Sequence, residues 1–189
     1  MKALIFIQTE NSKILRSCTE SICGLQKLLI NDEDSINTVF FDIEVKQEIE
    51  SNEVNTNYFI DNIQNFNPLG YTSILETLIN ELQPDIIAFS HTYQTRDWVP
   101  RLSARLDIPF VSDCVNIVKE NNGVLLTKQM YQGKVNANIL ATGPVIVSFQ
   151  SGAFRADEIR KGNSNTISKT IDFDVDNNTI NPLDKFKES

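Results

Sequence analysis

The sequence has 189 residues, of which 41% are hydrophobic and 22% charged, with a formal net charge of −8. This is enough apolar material for a core in a single domain, and no apolar run approaches the roughly 20 residues that a membrane-spanning helix needs. The acidic balance sets aside phosphate backbones and anionic lipid, so neither nucleic acid nor membrane is expected as a partner.

The opening apolar run carries one basic residue and ends at Gln8-Thr9-Glu10, too soon for a secretory leader. Residues 2–8 are instead expected as a buried parallel strand. A cytoplasmic setting follows, or the mitochondrial matrix as its eukaryotic equivalent, with no transit peptide visible. The turn from Gln8 to Ser12 contains no glycine, so neither a dinucleotide fingerprint nor a phosphate loop is present. Ile14, Leu15, Cys18, Ile22, Leu25 and Leu29 then recur at helical spacing. Cys18, Cys23 and Cys114 show no metal-ligand spacing and read as reduced thiols in or near the core.

Residues 36–42 are β-branched and aromatic, giving a second strand. Residues 31–65 hold nine acids against Lys46 alone, a difference equal to the net charge of the whole chain. Such a segment reads either as a solvated face or as an acidic docking surface. A short strand is expected at 58–60. A helix follows at 71–82, with Ile74, Leu75, Leu78, Ile79 and Leu82 as its buried stripe and Pro84 closing it. Residues 85–89 form the clearest buried strand. The next helix is expected to begin near Arg96 or Asp97, with Pro100 in its first turns, where a missing N–H costs little. Trp98, Leu102 and Leu106 would face inward, Trp98 as core rather than as a cofactor-stacking ring. Asp97, Arg101 and Arg105 would form an exposed row.

Beyond Ile108, strands are expected at 115–119, 124–131, 135–141 and 145–149, with a hairpin at Asn122-Gly123. One more strand at 167–175 follows a polar stretch that starts at Gly162. The pattern is α/β: a mostly parallel sheet flanked by helices, with additional strands in the C-terminal half.

One histidine excludes a multi-His metal site, and no carboxylates sit at ligand spacing, so no metal is expected. No nucleophile–base pair can be named, which leaves no catalytic residue and little room for a hydrolase or transferase. His91 follows the buried strand at the edge where open α/β sheets place ligands. Ser90, His91, Thr92 and Arg96 therefore form a candidate nucleotide-binding edge, against the alternative that they cap and hydrogen-bond the turn. Arg96, Arg101 and Arg105 suit either an anion or a subunit contact, or else a solvated face paired with Asp97 and Asp107.

Five segments in order resemble the first domain of the electron-transfer flavoprotein α subunit. They are Glu10 with Lys13-Ile14 and Thr19-Glu20, Arg96-Asp97 with the helix through Leu106, Ser112-Asp113, Tyr131-x-Gly133-Lys134 with Asn136-Ala137, and Gly152-Ala153-Phe154. Residues 31–65 show no match, and Gln150 and Ser151 stand where the family often has Arg and Pro.

The resemblance implies a three-layer, Rossmann-like fold of the adenine-nucleotide α-hydrolase type. It divides the chain into that domain at 1–162 and a strand and linker at 163–189 leading towards an absent FAD-binding domain. The chain would then be a fragment, a shortened form or a natural split subunit. The resemblance also implies an electron carrier rather than an enzyme, working as a heterodimer with a β subunit. That heterodimer carries one FAD, mostly held by the α subunit's second domain, and takes electrons from acyl-CoA or other dehydrogenases to a quinone reductase. AMP is expected on the β subunit, not here. Arg96, Arg101, Arg105, Tyr131, Phe154 and Arg155 are the expected subunit contacts. The rival reading is a free-standing adenine-nucleotide-binding module.

Overall fold

The computed structural model describes residues 1–29, 31–63 and 66–173, so the end of the strand expected at 167–175 and the linker beyond it lie outside the described residues. Strand β1 (Lys2–Phe6) sets the layering. Successive side chains of a strand point to opposite faces, so Ala3 and Ile5 join one core while Leu4 and Phe6 join another. A two-stranded hairpin, β2 (Thr9–Glu10) and β3 (Lys13–Ile14), follows, turning through Asn11 and Ser12 at positive φ. Helix α1 (Arg16–Gln26) then covers the Ala3–Ile5 face, with Cys18, Ile22 and Leu25 inward.

Strand β4 (Ser35–Phe40) pairs in parallel with β1. A 3-10 turn at Ile43–Val45 and a short helix, α2 (Lys46–Glu50), lead to β5 (Thr56–Ile60). Helix α3 (Pro68–Leu82) starts three residues before the expected 71, because the Asn67 side chain accepts hydrogen bonds from the N–H groups of Leu69 and Gly70 and Pro68 suits a first turn. Strand β6 (Ile86–Ser90) is fully buried.

Helix α4 runs Tyr93–Leu106, beginning earlier than Arg96, because Thr92 accepts from the Thr95 N–H and caps it. The expectation that Pro100 sits in the first turns is therefore wrong. It lies inside the helix, on the exposed side.

Strand β7 (Phe110–Glu120) is twice used. Its first half pairs in parallel with β10 (Val145–Phe149), and a register shift after Cys114 hands its second half to β8 (Gly123–Met130) in antiparallel. β9 (Val135–Ala141) continues that arm at the sheet's edge. The connecting loop is Asn121-Asn122, one residue before the expected Asn122-Gly123. Gly123 opens β8 at φ +151, and a Cβ there would lie 1.9 Å from the Ala141 carbonyl oxygen, so no other residue fits.

After β10, residues 150–164 cross α1 as a strap held by Gln26. Its amide donates to the Arg160 and Glu53 carbonyls, and its carbonyl oxygen Oε1 accepts from the Arg160 N–H. The chain then adds β11 (Asn165–Lys169) in parallel to β5. One sheet thus spans residue 162, and Ile171 beyond it packs into the second core.

The sheet has nine strands in the order β11-β5-β4-β1-β6-β10-β7-β8-β9, parallel as far as β7. α1 and the inner face of β7–β8 cover one side, while α3 and α4 cover the other. The result is a three-layer, Rossmann-like α/β fold. β4 and β5 lie on one side of β1, with β6 and β10 on the other, so the carboxyl ends of β1 and β6 mark the reversal of strand order where open sheets place ligands. No described helix is long and apolar enough to cross a membrane.

Candidate functional site

At the carboxyl ends of β1 and β6 the crevice is tied shut by polar side chains. The Thr92 hydroxyl donates to Gln8 Oε1 at 2.7 Å, joining the exits of the two strands. Ser90, only 2% exposed, sets its hydroxyl 3.2 Å from Cys18 Sγ and 3.3 Å from Ser21 Oγ, both on α1. The Gln8 N–H points at Cys18 Sγ as well, at 3.3 Å. These groups satisfy one another, and their geometry is that of a capped and stitched turn.

His91 is held by β10 and β7. Ser148 Oγ accepts from the Asp113 N–H at 3.1 Å and hydrogen-bonds His91 Nδ1 at 2.9 Å. The other ring nitrogen, Nε2, faces Asp113 Oδ1 at 3.9 Å. Burial pushes the His91 pKa below its ordinary value, with Asp113 opposing the shift and Arg96 and Lys128 reinforcing it. Gln8, Ser148 and Asp113 are the partners that sequence reasoning did not assign. They come from three separate strands or turns, and only their parallel register brings them together.

The arginines of α4 point outward. Arg105 pairs with Glu76 on α3 rather than with Asp107, and Arg96 lies 5.6 Å over the Tyr93 ring. Among the described residues, Arg96 and Arg101 have no carboxylate within ion-pair distance. Trp98 is fully buried among Phe6, Tyr71 and Phe89, in edge-on contact with each.

Of the remaining expected contacts, Tyr131 is 75% exposed at the tip of the β8–β9 hairpin, and Arg155 is exposed and pairs locally with Asp157 and Glu158. Phe154 is different. At 6% exposure it packs on Phe149 and against Gly24, so it has almost no surface to offer a partner.

Between the ends of β1, β4 and β5 lies an open cleft of about 380 Å³, floored by Phe41, Phe59 and Tyr71 and rimmed by Asp42, Glu44 and Asp61. Burial raises the Tyr71 hydroxyl to about 12. The carboxylate rim, together with the glycine-free turn after β1, does not fit the pyrophosphate of FAD or the phosphate of AMP, since it sets negative charge where an anion would lie. No cluster of three or more His, Cys, Asp or Glu among the described residues is placed to hold a metal.

Among the described residues, the β8–β9 arm presents the largest run of exposed apolar side chains. Met130, Tyr131, Val135, Ile139 and Leu140 all lie on it, with Leu140 51% exposed. β9 is an edge strand with open hydrogen-bonding groups, a feature that folded proteins usually cover.

Comparison with known proteins agrees on one family. A family model described as "Electron transfer flavoprotein domain" matches residues 43–172, which includes most of the segment where the sequence showed no resemblance. The electron transfer flavoprotein subunit alpha of Thermoanaerobacterium thermosaccharolyticum is 26% identical over 185 residues, covering 92% of this chain and 54% of that protein. The protein of the same name from Bacillus subtilis is 31% identical over 77 residues, 41% of this chain and 24% of its own length. Protein FixB of Clostridium saccharobutylicum is 25% identical over 122 residues, 62% of this chain and 36% of its own length. The chain thus spans about half, or less, of the curated relatives it matches.

Proposed function

This chain belongs to the electron transfer flavoprotein domain family, and we propose on that basis that it is the first-domain scaffold of an alpha-type subunit. In this reading it docks against a beta subunit and helps to enclose a flavin that other parts of the assembly hold. The assembled protein passes electrons from dehydrogenases, of the acyl-CoA or another class, to a quinone reductase or other acceptor. This chain's share of the work is positional, and the redox chemistry belongs to the flavin.

The observation that carries the reading is the pairing of two surfaces. The edge at which an open α/β sheet would bind a nucleotide is stitched by Thr92, Gln8 and Ser90 and rimmed with carboxylates. The β8–β9 arm meanwhile exposes apolar side chains along an unpaired edge. The first surface disfavours a resident dinucleotide. The second has the composition of a protein contact.

The test is to mix the purified chain with a beta subunit of the family from the same organism and follow mass by light scattering after gel filtration. A one-to-one complex is expected, weakened by Leu140→Lys or Val135→Lys, and the chain alone should elute without flavin absorbance. A chain that stays apart from the beta subunit, or that carries stoichiometric flavin alone, overturns the reading. Calorimetry with AMP, ATP and FAD addresses the nucleotide-module alternative: binding lost in His91→Ala and Arg96→Ala would support it instead.

A further inference from the structure

The antiparallel arm, made of β8, β9 and the second half of β7, leaves the parallel sheet at a joint built around His91. From Val111 to Cys114 strand β7 takes three steps where β10 takes two, from Val147 to Phe149. It shifts register again between Cys114 and Asn116, this time against β8. An extra residue of this kind is left out of the ladder and bends the strand that carries it. Asp113 lies in the bulge with φ +62, a left-handed conformation that Asp and Asn adopt more readily than most side chains.

Three contacts fasten the joint. Ser148 on β10, fully buried, accepts from the Asp113 N–H and hydrogen-bonds His91 Nδ1 at the exit of β6. Lys128 on β8 donates to the Ser112 hydroxyl at 3.0 Å. His91 Nε2 faces Asp113 Oδ1 at 3.9 Å, within ion-pair range but too far for a hydrogen bond. One imidazole thus touches the parallel sheet through Ser148 and the hinge of the arm through Asp113.

A neutral imidazole donates from one ring nitrogen and accepts at the other, whereas the imidazolium donates from both. Whichever neutral tautomer receives the proton, the product sets a charged N–H opposite the Asp113 carboxylate. Ser148 Oγ then takes two N–H donors, one from the ring and one from Asp113. Both changes bear on the same residue: its carboxylate is drawn to the ring, and its backbone N–H shares its acceptor.

We propose that protonation of His91 is a pH switch on the hinge at Asp113, turning the β8–β9 arm relative to the parallel sheet. Of the elements packed around the ring, β7 brings Asp113, which favours the proton, while α4 brings Arg96 and β8 brings Lys128, which oppose it. β10 brings the uncharged Ser148. Burial also opposes the proton, so the switch works below the ordinary histidine value of 6.5. The inference goes beyond the scaffold reading because it concerns one chain by itself. Only its consequence, a docking face set by pH, rests on that reading.

His91 is the single histidine of the chain, so its ring signal is unambiguous in a proton spectrum. The test follows that signal in the isotope-labelled chain from about pH 7.5 to about pH 5, together with amide shifts of residues 111–116 and 124–141 and N–H residual dipolar couplings. The arm amides should shift with the midpoint of the ring. The couplings of β8 and β9 should share one alignment with β1, β4, β6 and β10 at neutral pH and depart from it at the acid end. His91→Gln, neutral throughout, should abolish both responses. Asp113→Asn, which suits the same left-handed backbone, should lower the midpoint of the ring and remove the reorientation.

Arm couplings that keep the one alignment while His91 titrates would overturn the switch. So would arm amides with a midpoint of their own, or an arm response that survives in His91→Gln. An unchanged midpoint in Asp113→Asn would overturn the role given to that carboxylate. Because no beta subunit enters this experiment, its failure is distinct from a failure of the scaffold reading.

Discussion

At the residue scale, several side chains owe their role to one close neighbour. Gly24 on α1 is the sharpest case, because a Cβ there would fall 2.4 Å from the Phe154 ring. Gly24→Ala gains about 1 kcal/mol of helix propensity but overpacks a buried ring, which typically costs about 1–3 kcal/mol. The expected net result is a loss of up to about 2 kcal/mol in urea unfolding, and a raised midpoint would refute the packing argument.

His91 sets a pH dependence whose sign follows from its lowered pKa. As pH falls through the unfolded value near 6.5, the unfolded chain takes a proton that the folded chain resists, so stability is full above that value and declines below it. Unfolding midpoints measured from pH 7.5 down to 5 should therefore fall more steeply for the natural chain than for His91→Gln. Parallel curves would show that the burial of His91 does not matter. The thiols give a third expectation. Cys18, Cys23 and Cys114 are free and buried, and burial pushes all three thiols upward, Cys114 to about 12. None should react with an aromatic disulfide reagent at neutral pH until the protein is unfolded.

At the element scale, α4 departs most from the sequence reading. The apolar spacing of Trp98, Leu102 and Leu106 gave the helix its buried face correctly, yet the start moved to Tyr93 because capping is decided by the Thr92 hydroxyl and not by periodicity. Pro100 then interrupts the backbone ladder inside the helix, on its exposed side. Pro100→Ala should raise stability by about 1–3 kcal/mol, since it restores a missing donor and removes a ring clash. Thr92→Ala should lower it by about 1–2 kcal/mol, through both the lost cap and the lost tie to Gln8. Thermal unfolding of the two variants, one rising and the other falling, checks the account of this helix. The α2 turn and the β2–β3 hairpin were illegible beforehand for a related reason: both are too short to show a period.

For the whole molecule, the main prediction concerns the β7–β9 arm. If its apolar edge is an interface, Leu140→Lys should leave the monomer folded, since Leu140 is half exposed, while abolishing assembly with the beta subunit. Loss of folding would instead make the arm part of the core. The order of elements, the continuous apolar runs of β6 and β10 and the α/β class were all legible in the sequence, because strand and helix periods are local properties of the chain. So were the family-like segments, though not their physical relation: the Gly152 N–H donates to Glu20, and Phe154 packs against Gly24, across more than a hundred residues. The sequence by itself determined which segments are apolar and where negative charge accumulates. Only the tertiary structure decided that Ser90, Thr92 and Gln8 close the ligand edge, that Phe154 turns inward, and that Asp34, Glu50 and Glu53 find cations while Asp42, Glu44 and Asp61 rim a cleft. The physical reason is that hydrogen bonds and ion pairs act over a few ångströms in space, and the strand register, which sets those distances, emerges only when the whole sheet assembles.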